Sequence, residues 1–136
     1  VAVRDLAAAR RVWEPLLGKS EPDDPYTDAA EQIRVARYWL GGVGFELMES
    51  TTPDGPVARW IEKHGEGVMV VSFNVNHTRE AVEELESKDY PVLPAPGGGK
   101  VRPFRDCEYA FVHPKKMNNV LVELIDYRWD ELKKKE

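Results

Sequence analysis

The sequence predicts an α+β fold built from two βαβββ modules in tandem. Two observations support it. The order strand, helix and then two or three strands occurs twice along the 136 residues. Each copy ends on an apolar strand that carries a carboxylate, Glu46 in the first and Glu123 in the second. We expect one domain over residues 1–136, with a first module at 1–50, a linker helix at 51–66, a second module at 67–126 and a C-terminal helix at 127–136.

The first module begins with a strand-like triplet and a helix. Asp5 is a good N-cap because its side chain can accept a bond from a free backbone N–H, and Gly18 is a good stop. Residues 20–28 are rich in Pro, Asp and Ser, which predicts a loop. Branched and aromatic residues predict a strand over 32–40, and Gly41-Gly42 predicts a hairpin turn into the strand that holds Glu46.

The bounds predicted for the remaining helices and strands depend largely on the positions of proline and glycine. Pro56 opens the linker helix and Gly65 ends it. The second module is predicted to contain a strand at 67–75, a helix after Asn76-His77-Thr78, strands at 90–93, 108–113 and 120–125, and a glycine-rich loop at 94–100.

Composition excludes several functions. Lys+Arg is 19 and Asp+Glu is 24, so the net charge of −5 argues against a general nucleic-acid binder. Cys107 is the only cysteine, which excludes an internal disulfide and a cysteine-based metal site. Without an apolar run of membrane-spanning length or a signal peptide, we expect no membrane association and a cytoplasmic location. Because the chain starts at Val1, within a strand-like triplet, we expect further residues upstream.

The two halves align at two offsets. Val1–Asp5 aligns with Phe73–His77 at an offset of 72, and Glu46 aligns with Glu123 at an offset of 77. Since side chains alternate sides along a strand, the residues flanking each glutamate face the other side of the sheet. This predicts two matched carboxylates that face a shared interior.

Several motifs give the chain a family resemblance. The chain resembles the vicinal oxygen chelate superfamily, which includes glyoxalases and bleomycin resistance proteins, and within it the methylmalonyl-CoA epimerases. The resemblance implies a cupped mixed sheet and a homodimer. It rests on Ala2–Leu6, Phe45–Glu49 with Pro53, Val57–Lys63 before Gly65–Gly67, Gly98–Lys100, and Ala110–Lys115 followed by Val120–Leu124.

The resemblance also implies a divalent metal held by a histidine and a carboxylate or amide from each half. This chain departs from that pattern. Val70 stands where the second-half histidine is expected, and the first-half histidine would fall three residues upstream of Val1. Glu46 and Glu123 are the ligands that remain, so we do not expect the complete metal site, and the cofactor is left open.

The roles of Glu46 and Glu123 have three interpretations at this point. They bind a metal, they transfer protons, or they pair with a basic residue such as Arg34 or Arg37. The candidate substrate-binding residues are Lys100 and Arg105 in a basic stretch, His113 in a His-Pro-Lys turn, and Tyr38 as a cavity-lining ring. The alternatives are a solvated loop for the basic stretch, an exposed turn for His113 and a core position for Tyr38.

Two functions follow from the resemblance. The first is an epimerase- or lyase-like enzyme that acts on a small organic acid or acyl thioester, with Glu123 as base and Glu46 opposite. The second is a metal-free binding protein of the bleomycin-resistance type that sequesters a small molecule without catalysis. Val70 in place of a histidine favours the second.

Overall fold

The computed structural model describes residues 1–127, which form two compact units. The first spans Val1–Met69, and the second begins at Val70. The α+β fold with tandem βαβββ modules is confirmed. The predicted C-terminal helix lies outside the described residues, apart from Tyr127.

The first unit contains two helices and a three-stranded antiparallel sheet of order β1-β2-β3. Asp5 caps the first helix as predicted, since its Oδ1 accepts a bond from Ala8 N at 3.0 Å. Gly18 ends that helix in the left-handed conformation, at φ 68°. The elements are α1 Leu6–Leu17, β1 Asp24–Asp28, β2 Ile33–Leu40, β3 Val43–Ser50 and α2 Pro56–His64.

Strand β1 corrects the prediction of a loop over residues 20–28. Asp24–Asp28 pairs antiparallel with β2, with Tyr26 opposite Val35. Asp and Pro disfavour strands when considered residue by residue, but Pro25 is tolerated because β1 is an edge strand. The pairing with β2 therefore overrides a weak local preference.

The core of the first unit lies between the sheet and α1. Tyr38 and Leu47 are fully buried there, and Trp13 of α1 packs against them. Phe45 packs against Trp13 in a tilted arrangement, with ring centroids 4.8 Å apart. Because side chains alternate along a strand, Arg37 and Glu46 lie on the opposite face of the sheet.

Up to Tyr127, the second unit holds a four-stranded mixed sheet of order β4-β7-β6-β5 and one α-helix of 10 residues. The predicted strand at 90–93 was wrong, since only Val92 forms an isolated bridge, to Val112. No helix among residues 1–127 has the length and apolar character needed to span a membrane. The elements are β4 Val70–Asn74, α3 Thr78–Ser87, β5 Arg102–Phe104, β6 Cys107–Val112, a short 3-10 turn at Pro114–Lys116, and β7 Leu121–Ile125.

The duplication is visible in the strand register of the two units. Ala2 lies beside Met48 in a parallel bridge in the first, and Asn74 lies beside Ile125 in the parallel β4–β7 pair of the second. The offsets of 72 and 77 convert one pair into the other. The predicted repeat is therefore confirmed at the level of individual residue pairs.

Each unit also caps its first helix with a carboxylate that comes one residue after a parallel-paired position, Met48 in the first unit and Ile125 in the second. Leu6 N donates to Glu49 Oε2 at 2.7 Å, and Thr78 N donates to Asp126 Oδ2 at 3.1 Å. These are first-turn N–H groups without partners inside the helix, and a negative charge there is favoured by the helix dipole. The same two offsets relate these contacts, although the sequence motifs did not predict them.

Replacing Asp126 with Asn is expected to lower the free energy of unfolding by about 1–2 kcal/mol. Asp126 also accepts a bond from Glu108 N at 2.6 Å. Burial alone would raise the pKa of Asp126, but its bonds from Glu108 N and from Thr78 outweigh burial and hold the pKa below its usual range. The contribution is therefore present above the unfolded pKa of about 3.9 and is lost as the pH falls through the lower folded pKa.

Urea unfolding of D126N across the acidic range checks this prediction. The exposed Glu83→Gln on α3 is the control, and it should leave stability within about 0.5 kcal/mol. A D126N variant as stable as the control at neutral pH would contradict the capping role.

Candidate functional site

The first carboxylate, Glu46, lies on the face of the first sheet opposite α1. Its neighbours Phe45 and Leu47 pack on the helix side, as the strand alternation predicts. Arg37 Nε donates to Glu46 Oε1 at 2.5 Å, and the Tyr26 hydroxyl donates to the same oxygen at 3.2 Å. Of the two arginines considered as basic partners, Arg37 therefore holds this carboxylate.

Arg37 is buried, with 4 % of its side chain exposed. Its Nη1 lies 3.3 Å from Asp24 Oδ2, and its Nη2 donates to the Tyr26 hydroxyl at 3.1 Å. The guanidinium carbon lies 4.7 Å from the centre of the Tyr26 ring and 5.3 Å from that of Trp39. The group we call the Arg37 cluster thus comprises Asp24, Tyr26, Arg37, Trp39 and Glu46.

The second carboxylate, Glu123, has different neighbours. It stands directly between Ser72 on β4 and Phe111 on β6, and the Ser72 hydroxyl donates to Glu123 Oε1 at 2.8 Å. The guanidinium carbon of Arg102 lies 4.9 Å from the centre of the Phe111 ring. Glu123 therefore occupies a half-buried position on a face that combines a hydroxyl, an aromatic ring and a guanidinium.

The donor set does not fit the metal that the resemblance implies. Val70 lies two residues before Ser72 on β4, on the same face as Glu123, where a histidine would be needed. Valine offers no ligand atom, and Oε1 of Glu46 accepts a hydrogen bond from the Arg37 guanidinium. Within residues 1–127, no three or more His, Cys, Asp or Glu side chains are grouped so that they could hold a metal ion.

The predicted basic and histidine contacts lie in the second unit. Lys100 Nζ is 3.0 Å from Glu86 Oε1 on α3, and both side chains are partly exposed. Arg105 has a left-handed backbone, at φ 54°, and its guanidinium lies 5.1 Å from the centre of the Phe104 ring. His113 is exposed, and its Nδ1 accepts a bond from Lys115 N at 3.0 Å.

Tyr38 corrects the hypothesis of a cavity-lining ring. It is 0 % exposed on the helix side of the first sheet, the face opposite Glu46. Its hydroxyl donates to Glu14 Oε1 at 2.7 Å. Burial and the bond to Glu14 raise the pKa of Tyr38 to about 12, so it stays a neutral donor at physiological pH. The strand period places Tyr38 in the core while its neighbour Arg37 faces the other way.

Sequence reasoning missed Tyr26 and Asp24 because they lie in the stretch predicted as a loop. It also left the partner of Glu46 open, although a signal was present. A two-residue turn at Gly41-Gly42 sets the register of the hairpin, and that register puts Arg37 opposite Glu46. For Ser72, no motif in the sequence indicated a role, whereas Arg102 belongs to the basic stretch of Lys100 and Arg105.

The family is shown by two comparisons. Residues 1–111 match the model of the glyoxalase/bleomycin resistance protein/dioxygenase superfamily. The uncharacterised protein YqjC of Bacillus subtilis strain 168 is 30% identical over 135 residues, which cover 96% of this chain and 91% of that protein. The chain belongs to the glyoxalase/bleomycin resistance protein/dioxygenase superfamily.

Solved structures share the fold. A Streptomyces coelicolor methylmalonyl-CoA epimerase variant in complex with 2-nitronate-propionyl-CoA has a TM-score of 0.81 and 23% identity, over 92% of this chain and 88% of that one. The methylmalonyl-CoA epimerase of Mycobacterium tuberculosis has a TM-score of 0.79 and 22% identity, over 91% and 81%. A hypothetical protein of Bacillus halodurans C-125 has a TM-score of 0.82 and 20% identity, over 93% and 88%.

Proposed function

We propose that this protein acts on a small organic acid or acyl thioester by carboxylate-assisted proton transfer, as a glyoxalase- or epimerase-like enzyme. The observation that carries the proposal is the setting of Glu123, a half-buried carboxylate beside the Ser72 hydroxyl and the Phe111 ring. The S. coelicolor epimerase variant of the same fold binds an acyl-CoA analogue. A thioester of this kind has an acidic α proton that a carboxylate can remove.

Glu123 is the base in this proposal. A carboxylate within hydrogen-bond reach of an α proton can accept it, and the Ser72 hydroxyl orients the carboxylate through its 2.8 Å bond. Glu46 is bonded to Arg37 and is assigned a supporting role rather than proton transfer. Glu46, the glutamate of the first module, therefore does not act as an acid matched to Glu123.

The anionic part of the ligand is assigned to the basic residues of the second unit. Lys100, Arg105 and His113 are at least partly exposed and can meet a carboxylate or phosphate. Tyr38 is left out of the proposal because it is fully buried. Assembly as a homodimer and a cytoplasmic location remain expectations from the sequence.

Proton exchange on methylmalonyl-CoA in heavy water tests the proposal. The full chain, treated with a chelator and then dialysed, is incubated with the thioester, and deuterium at the α carbon is followed by NMR. Incorporation clearly above the protein-free rate is expected. A rate equal to that of buffer, with protein shown to be folded by circular dichroism, would remove this substrate class from the proposal.

The second candidate function is sequestration of a small molecule without catalysis. Val70 favours it, because an apolar side chain stands on the same face as Glu123 where a metal-binding histidine is expected. A binding protein of the bleomycin-resistance type would bind an aromatic cationic drug and show no proton exchange. Calorimetric titration with bleomycin, set beside the exchange assay, separates the two functions.

A further inference from the structure

The Arg37 cluster in the first unit contains a buried positive charge that neighbouring carboxylates balance. Arg37 and Glu46 stand directly opposite each other on β2 and β3. A guanidinium that is only 4 % exposed is costly unless its charge and its N–H groups are matched. Glu46 at 2.5 Å and Asp24 at 3.3 Å supply the two negative charges.

Aromatic groups complete the enclosure of this guanidinium. The rings of Tyr26 and Trp39 lie within cation–π range of it, at 4.7 and 5.3 Å. The Tyr26 hydroxyl accepts from Arg37 Nη2 and donates to Glu46, so it links the two charged groups. The cation of this cluster is thus held by hydrogen bonds at its edges and by aromatic rings.

The duplicated unit provides an internal comparison. The position that corresponds to Arg37, directly across the hairpin from the glutamate, is Phe111 in the second unit. Glu123 accordingly faces a ring where Glu46 faces a guanidinium, and it accepts a bond from Ser72. The two glutamates hold the same place in the fold but have different chemical partners.

We propose that the guanidinium of Arg37 takes the place of a divalent cation at the carboxylate of the first module. Glu46 then acts as the counter-ion of Arg37, and the protein binds its small-molecule ligand and acts on it without a divalent metal. A metal ion on Glu46 Oε1 would have to displace Arg37 Nε or lie against its positive charge, and like charges at such distances repel strongly. Asp24 and Tyr26 reinforce the arginine in that position.

Metal titration of the wild-type chain is the first test. Chelator-treated protein is titrated with Co²⁺ and with Mn²⁺, and binding is followed by cobalt absorbance and by thermal unfolding. We expect no stoichiometric binding and a Tm unchanged within about 1 °C, since a ligand that binds only the folded state raises Tm. One equivalent of Co²⁺ bound by the wild type and lost in E46Q would overturn the proposal.

Removal of the arginine is the second test. Arg37→Met leaves Asp24 and Glu46 without their cation, so the Tm should fall by roughly 10 °C. Millimolar Mn²⁺ should then restore part of the loss, because the carboxylates become available to it. The double variant R37M/E46Q should show no such restoration.

The matched control is Arg34→Met, which removes an exposed arginine from the same strand. It should change neither the Tm nor the response to Mn²⁺ appreciably. If R37M does not fold, Arg37→Lys keeps a cation in place and should fold and stay insensitive to Mn²⁺. An R37M variant with wild-type Tm, or an R37K variant that gains stability from Mn²⁺, would contradict the proposal.

Discussion

Replacing Glu123 with Gln is expected to slow α-proton exchange on methylmalonyl-CoA by roughly 10²- to 10⁴-fold, which is the usual contribution of a positioned general base. Glutamine has nearly the same shape and keeps an oxygen that can accept the bond from Ser72. It cannot take up a proton, so binding should survive while the exchange rate falls. The measurement is deuterium incorporation at saturating thioester, with the Kd determined separately.

The control for this prediction is Glu83→Gln, an equal change of charge on the exposed surface of α3. It should leave the exchange rate within about twofold, since long-range effects of a surface charge are screened by salt. Exchange in E123Q at the rate of the control would show that Glu123 is not the base.

Replacing Leu47 with Ala is expected to lower the free energy of unfolding by about 2–5 kcal/mol. Leu47 is 0 % exposed and packs in the cluster formed by Val3, Ala36 and Tyr38 beneath α1. Its removal leaves a cavity beneath that helix, so the cost includes lost contacts as well as lost burial. Urea unfolding followed by circular dichroism measures the change.

Leu16→Ala is the matched control, since the same truncation is made on α1 at a side chain that is 75% exposed. Its effect should lie within about 0.5 kcal/mol of zero. Equal losses of stability in the two variants would contradict the assignment of Leu47 to the core and of Leu16 to the solvent-exposed surface of α1.

Much of the fold could be predicted from the sequence because its signals are local. Asp5 and Gly18 bound the first helix, Gly41-Gly42 turns the hairpin, and the offsets of the repeat agree with the strand register. The strands that were missed, β1 and β5, are short edge strands that contain proline. Whether such a strand forms depends on pairing with a neighbouring strand, and the strand propensity of its own residues does not indicate that pairing.

The site was predicted less completely than the fold. The faces of Glu46 and Glu123 followed from strand alternation, because period two applies wherever a strand is recognised. Which partner each carboxylate has depends on contacts between strands. Asp24 and Tyr26 reach Arg37 from a strand that was not predicted, and Ser72 reaches Glu123 from the parallel neighbour β4.

The role of Tyr38 also could not be decided from the sequence. Aromatic residues occur both in cores and in ligand sites, so residue type alone left its role open. The period of β2 separates Tyr38 from Arg37, since successive side chains point to opposite faces. Assigning Tyr38 to the core required knowing that α1 packs on that face of the sheet. The hydrogen bond from the Tyr38 hydroxyl to Glu14 of α1 shows this packing.

The two glutamates hold equivalent positions, and the central claim is that one is a structural counter-ion and the other faces a ligand. The most direct measurement is the Tm of E46Q beside that of E123Q. E46Q should lose roughly 5 °C or more, because it leaves the buried Arg37 with Asp24 as its carboxylate partner. E123Q should stay within about 2 °C of the wild type. Equal losses in both variants, or a larger loss in E123Q, would contradict the claim.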